Sequence, residues 1–204
     1  MLTKVCGMTD GDNIREVEAL GVDLVGFIFY PKSPRRCKAL PSYLPMRAGR
    51  TGVFVDADED EIEMKVHEYG LSHVQFHGNE SPDKCLKFKA MGLKVIKAFQ
   101  LASLSGLSSV GEYAGACDYF LFDTASPSMG GSGKCFDWKI LENYRGSTPF
   151  LLSGGLGPES LSALRNFSHP ALAGYDLNSR FELRPGLKDA MKIKNFLKEL
   201  FQYE

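Results

Sequence analysis

Short apolar runs recur along the chain, and most are separated by stretches whose apolar positions repeat at helical spacing. Residues 2–6 form the first run, stopped by Gly7. In 10–20 the residues Ile14, Val17 and Leu20 share one face and Gly21 follows, which predicts a helix with a glycine stop. Residues 23–30 (Asp-Leu-Val-Gly-Phe-Ile-Phe-Tyr) read as a second buried strand, and 51–55, 73–76, 94–99, 118–122, 150–153 and 174–177 as further ones. Helical patterns occupy 58–69, with Ile62, Val66 and Tyr69 inward, then 80–91, 101–113 more weakly, 137–144 and 160–166. A closing helix over 188–201 carries an apolar stripe of Met191, Ile193, Phe196, Leu197 and Leu200. Pro31 and Pro34 make the segment after the second strand a loop, and Pro41 and Pro45 allow at most a short helix in 37–49.

Strand signals alternating with helices demand parallel strands joined by right-handed crossovers. Eight such units, at about 25 residues each, predict an α/β fold of the (β/α)8 TIM-barrel type, a single compact domain over residues 1–204. A doubly wound open sheet is the rival, but it usually needs fewer strands, and no dinucleotide fingerprint follows the first strand.

Chemistry in such barrels sits at the C-terminal ends of the strands. Those positions hold Cys6, Phe29 with Arg35 beyond it, Asp56, His77, Phe99, Asp123, Gly154 with Gly155, and Asn178-Ser179-Arg180. Cys6 closes an apolar strand, where a thiolate would meet substrate or a structural thiol would simply be buried. Asp123 ends a fully apolar strand, so desolvation would favour its protonated acid; the plainer role is a helix cap. An acid and a base at one barrel mouth make proton transfer available. Arg35 presents a planar fork to a carboxylate or else to solvent, and His77 is a neutral hydrogen-bonding residue in the plain case. Gly154 and Gly155 let the backbone turn sharply and come close to a ligand, and Pro158-Glu159 open a helix whose start suits phosphate. Residues 126–134 include Gly130, Gly131 and Gly133, a composition that suits a lid over a site or an ordinary surface loop.

Composition narrows the partners. Charged residues make up 24% of 204 and the formal net charge is −1, so nucleic acid is not expected. No charged-then-apolar leader and no apolar run near spanning length occur, so no membrane association is expected. The cysteines Cys6, Cys37, Cys85, Cys117 and Cys135 are widely spaced and form no Cys-x-x-Cys, which argues against a disulfide framework or zinc and points to a reducing cytoplasm.

Lys4-Val5-Cys6-Gly7-Met8-Thr9 resembles the opening motif of the phosphoribosylanthranilate isomerase family, which serves tryptophan biosynthesis. The resemblance continues in order through Gly26-Phe27-Ile28-Phe29-Tyr30-Pro31-Lys32-Ser33-Pro34-Arg35, Gly52-Val53-Phe54-Val55-Asp56 and Val74-Gln75-Phe76-His77-Gly78-Asn79-Glu80. It includes Phe122-Asp123-Thr124, Gly130-Gly131-Ser132-Gly133-Lys134, Phe136-Asp137-Trp138, Leu152-Ser153-Gly154-Gly155-Leu156 and Pro185-Gly186-Leu187-Lys188-Asp189. It implies a cofactor-free Amadori rearrangement of a small sugar-phosphate substrate by a monomer or homodimer. Asp123 is then the general acid, Cys6 the general base and Arg35 the partner of the anthranilate carboxylate. Gly154, Gly155 and the loop Asn178-Ser179-Arg180 then hold the phosphate. After the eighth strand the family usually has Asp-x-Ser-Ser-Gly-x-Glu, where this chain has Asp176-Leu177-Asn178-Ser179-Arg180-Phe181-Glu182. Arg180 in the glycine's place either supplies its guanidinium to the phosphate or turns to solvent. Another sugar-phosphate isomerase or epimerase, or a catalytically silent phosphate-binding barrel, are the other functions this scaffold admits.

Overall fold

The computed structural model describes residues 1–101, 104–123 and 138–201. Eight strands close a parallel barrel in sequence order: β1 (Leu2–Cys6), β2 (Leu24–Ile28), β3 (Gly49–Phe54), β4 (His73–Phe76), β5 (Lys94–Gln100), β6 (Tyr119–Asp123), β7 (Phe150–Ser153) and β8 (Leu172–Leu177). β1 pairs with both β2 and β8, which seals the sheet. Because every strand runs the same way, all eight C-terminal ends open at one mouth.

Strand alternation divides the core in two. Leu24, Ile96, Ala98, Leu121 and Leu151 pack together inside the barrel, whereas their chain neighbours Val25, Val95, Phe120, Phe122 and Leu152 join the larger cluster outside the sheet. Lys4 lies opposite Leu24 and Cys6 opposite Gly26 in the β1–β2 register, so both share the interior face. Asp123 shares that face with Leu121 by the same alternation.

The outer layer is less regular than the strands. Helices α1 (Gly11–Glu18), α2 (Glu59–Tyr69), α3 (Pro82–Ala90), α4 (Leu161–Asn166) and α5 (Ala190–Phe201) follow β1, β3, β4, β7 and β8. Asp10 caps α1 by accepting from the Asn13 N–H at 2.9 Å, and Ser81 caps α3 with Pro82 in its first turn. The weak helix expected over 101–113 is instead two 3₁₀ turns, Leu104–Leu107 and Val110–Tyr113. The helix expected over 137–144 is the 3₁₀ turn Trp138–Asn143. In α5 only Ile193 and Phe196 of the expected stripe are fully buried, Leu197 and Leu200 are half-buried, and Met191 is 62% exposed. That helix begins at Ala190 because Lys188 is taken by a small hairpin, β9 (Glu182–Arg184) with β10 (Leu187–Lys188).

Residues 37–49 form no helix. Their backbone is held by the buried Glu18 carboxylate, which accepts from the N–H groups of Arg47 (2.6 Å) and Ala48 (2.9 Å) and from the Tyr43 hydroxyl. Burial alone would raise that carboxyl, but these hydrogen bonds hold it down at about 2. Among the described residues no helix is long and apolar enough to cross a membrane.

Candidate active site

The floor of the mouth is charged. Lys4, with no exposed surface, donates to Asp176 Oδ1 at 2.8 Å, and the Ser153 hydroxyl donates to Asp176 Oδ2 at 3.2 Å. Cys6 lies two residues along β1 on the same face, 3% exposed, in the space that Gly26 leaves empty. A Cβ at Gly26 would stand 2.7 Å from its sulfur. Burial pushes the Cys6 thiol up, and the Lys4 ammonium beside it pulls the other way without cancelling that effect. The thiolate expected for Cys6 is therefore not the resting form at neutral pH, because the strand end is drier than a loop thiol would be. For Lys4, burial lowers proton affinity, but the Asp176 carboxylate above all raises it and the net shift is upward, so the amine stays charged.

Arg35 does not face open solvent. Its Nε donates to Glu182 Oε1 and Oε2 at 2.8 and 2.9 Å, and its Nη2 donates to Oε2 at 2.7 Å. Lys188, fully buried, donates to the same carboxylate and to Asn178 Oδ1, both at 2.7 Å. The Lys188 backbone is pinned to α1 through Asn13, whose side chain bonds both its N–H (2.7 Å) and its C=O (2.8 Å). Burial alone would raise the Glu182 carboxyl, but the Arg35 and Lys188 hydrogen bonds hold it below the ordinary range. Burial lowers Lys188 in spite of Glu182. Gly7, with φ +77°, keeps the backbone tight against this cluster: a Cβ there would lie 3.0 Å from Arg35 Cδ and 3.1 Å from Asn178 Oδ1.

Across the mouth, His77 Nε2 lies 3.4 Å from Asp123 Oδ2. The Gln75 amide nitrogen lies 3.1 Å from His77 Nδ1, which fixes the ring with its Nε2 edge toward the aspartate. The Asp123 side chain is 28% exposed and has this polar neighbour, so the strand end is wetter than the apolar run Phe120–Phe122 implied. The turn after His77 is fixed from beneath by the buried pair Lys97–Glu80. Lys97 Nζ donates to Gly78 O (2.7 Å) and Glu80 Oε2 (3.2 Å), and Glu80 accepts from the Asp56 and Gly78 N–H groups, each at 2.9 Å.

The two glycines after β7 have left-handed backbones, Gly154 at φ +90° and Gly155 at φ +68°, where a side chain would be strained. The helix start expected beyond them is the 3₁₀ turn Pro158–Ser160 leading into α4. Asn178 precedes the 3₁₀ turn Ser179–Phe181. Arg180 is more than half exposed, with Nε 3.7 Å from Glu159 Oε1, so it reaches toward the β7 loop rather than into the barrel. Gly130, Gly131 and Gly133 lie outside the described residues.

The sequence placed Cys6, Asp123, His77, Arg35 and the loops after the seventh and eighth strands at one mouth, which is where the closed parallel barrel puts them. It missed Lys4, Asp176, Glu182, Lys188, Glu80 and Lys97. For Lys4, Lys97 and Asp176 the available signal was a charge inside a strand with both faces covered, which must find a partner; Glu80, Glu182 and Lys188 lie outside the barrel strands and carried no such signal.

The family model for N-(5′phosphoribosyl)anthranilate (PRA) isomerase matches residues 3–199. The chain is 54% identical over 202 residues to N-(5′-phosphoribosyl)anthranilate isomerase of Phocaeicola vulgatus, covering 99% of this chain and 98% of that one. It is 48% identical to the Parabacteroides distasonis enzyme of the same name, covering 98% and 93%. The crystal structure of phosphoribosyl anthranilate isomerase from Thermotoga maritima superposes with a TM-score of 0.81 at 32% identity, covering 98% of both chains. Another phosphoribosyl anthranilate isomerase, solved in complex with reduced 1-(o-carboxyphenylamino)-1-deoxyribulose 5-phosphate, matches at TM-score 0.80 and 30% identity over 98% of both. With a closed eight-stranded barrel, an acid and a thiol at its mouth, and these matches along its whole length, the chain belongs to the N-(5′-phosphoribosyl)anthranilate isomerase family.

Proposed function

We propose that this isomerase converts N-(5′-phosphoribosyl)anthranilate to 1-(2-carboxyphenylamino)-1-deoxyribulose 5-phosphate with its own side chains as acid and base. The observation that carries this is the match over residues 3–199 together with Cys6 and Asp123 on one interior face of the mouth. Asp123, with His77 Nε2 beside it, gives its proton to the furanose ring oxygen; the C1′–O bond breaks and the anilinic nitrogen's lone pair forms the Schiff base. The Cys6 thiolate then takes the C2′ proton, and the electron pair left behind forms the enolamine, which tautomerises to the ketone.

Arg35 meets the anthranilate carboxylate with the guanidinium edge that Glu182 leaves open, since Nε and one side of Nη2 are engaged. Gly154 and Gly155 offer backbone N–H groups to the phosphate, with Asn178, Ser179 and Arg180 on the facing loop. A fluorescence assay following loss of phosphoribosylanthranilate tests the proposal. Cys6→Ser and Asp123→Asn should each lower kcat by ~10²–10⁴-fold with little change in KM. Near-normal turnover in either variant removes that residue from the mechanism, and a wild-type protein with no turnover refutes the assignment.

A further inference from the structure

Cys6 is buried, yet its assigned role needs a thiolate, and a lone sulfur anion inside an apolar barrel would be costly. The groups around it supply a counter-charge. Lys4 stands two positions earlier on β1, hence on the same interior face, and its ammonium favours the charged form of the Cys6 side chain. Asp176 lies opposite Lys4 in the β1–β8 register and fixes Nζ at 2.8 Å, with Ser153 steadying the other carboxylate oxygen. Lys188 of β10, tied to Glu182 and Asn178, adds a weaker attraction for a Cys6 anion, and Glu182 also holds Arg35. β2 contributes only Gly26 at the nearest point, so no charge comes from that strand.

We propose that Lys4 is a positioning residue for catalysis: its ammonium, anchored by Asp176 beneath the mouth, is the built-in counter-ion of the Cys6 thiolate. The pair Lys4–Asp176 is neutral and closed while Cys6 carries its proton. When Cys6 ionises, the ammonium is already in place on the same face, so the sulfur anion forms with little rearrangement. Two further features fit an electrostatic role. Lys4 occupies an interior position where an apolar residue would fill the barrel without any polar partner. Asp176 accepts from Lys4 at one carboxylate oxygen and from Ser153 at the other, which holds Nζ on the interior face that Cys6 shares.

The proposal rests on Cys6 as the base, but its test is read from the sulfur itself. The ultraviolet absorbance of the Cys6 thiolate, taken as the difference from Cys6→Ser, is followed against pH in each variant. Lys4→Met should move the transition to higher pH by about one unit or more, an approximately tenfold smaller thiolate fraction at any pH below it. Asp176→Asn should move it to lower pH, because a competing negative charge near the sulfur is removed. If Lys4 were only structural, loosening the barrel would hydrate Cys6 and both variants would move the transition down. A downward or absent shift in Lys4→Met therefore overturns the proposal. Should Lys4→Met fail to fold, Lys4→Gln takes its place, and a downward or absent shift in that variant overturns the proposal. The pH profile of kcat is recorded on the same proteins. If the sulfur transition shifts as expected while the kcat limb stays fixed, the counter-ion role of Lys4 stands and the assignment of Cys6 as base falls.

Discussion

Glu182→Gln isolates the charge at the centre of the Arg35–Glu182–Lys188 cluster. The amide keeps the shape and one acceptor, but two cations then face each other across a neutral group. Glu182 is 5% exposed and Lys188 not at all, so that side of the cluster behaves as a buried pair; breaking such a pair costs ~3–5 kcal/mol. Arg35 is 22% exposed, and water screens part of its share. The amide also retains some hydrogen bonding, including acceptance from the Gly186 N–H that Glu182 now receives at 3.1 Å. Together these place the expected loss at about 2–4 kcal/mol in urea unfolding at neutral pH.

The pH dependence has a definite sign. The folded-state Glu182 carboxyl lies below its ordinary value, so its contribution is present above the unfolded pKa and is lost as pH falls through the folded one. The stability gap between wild type and Glu182→Gln should therefore narrow as pH drops below about 4. Lys188 works against it: burial lowers its pKa, so the charged amine costs stability at neutral pH, and more so once Glu182 is gone. A gap under about 1 kcal/mol at neutral pH, or one that widens in acid, would refute the view that this carboxylate offsets the buried Lys188 and the half-buried Arg35.

Three further outcomes follow from the same geometry. Arg35→Ala should weaken substrate binding by ~2–5 kcal/mol in KM, with Arg35→Lys restoring only part because an ammonium lacks the fork; an unchanged KM would return the anthranilate carboxylate to another group. Gly26→Ala should cost about 1–3 kcal/mol of stability and most of kcat, since the new methyl meets the Cys6 sulfur at 2.7 Å and its Cα at 3.0 Å; a fully active variant would mean the sulfur can move aside freely. Arg180→Ala should raise KM, and the wild-type KM should rise with salt as the exposed guanidinium is screened; if Arg180→Ala and Arg180→Gly both bind as wild type, the phosphate rests on Gly154 and Gly155.

The strands were legible because burial on both faces forces uninterrupted apolar runs: β1, β4 and β7 have the bounds that pattern predicts, and the others differ by a few residues at their ends. The outer layer was less so. Between β5 and β7 the helical turns among the described residues are 3₁₀, and their short span carries too few apolar positions to distinguish them from a helix. Residues 37–49 were illegible for a different reason: their conformation is set by Glu18, on α1, a tie that no local pattern can carry. The strand-end residues could be named because barrel geometry assigns them a place, and the resemblance assigned them roles.

What local pattern could not show is which charges meet. Lys4 and Asp176 are 172 positions apart, Arg35 and Glu182 147, and each sits in a stretch that reads as strand or loop by itself. Only closure of the sheet makes them neighbours, by laying β8 against β1 and the β9–β10 hairpin over the mouth. The polar layer that results is dense for a barrel interior, and its members are held by one another more than by the apolar core. A substitution there changes stability and proton affinity together, so loss of activity alone cannot separate the two. Unfolding free energy measured beside the Cys6 ionisation does separate them: a structural residue lowers the first and lets the second drift toward the ordinary thiol value, whereas a counter-ion moves the second away from it.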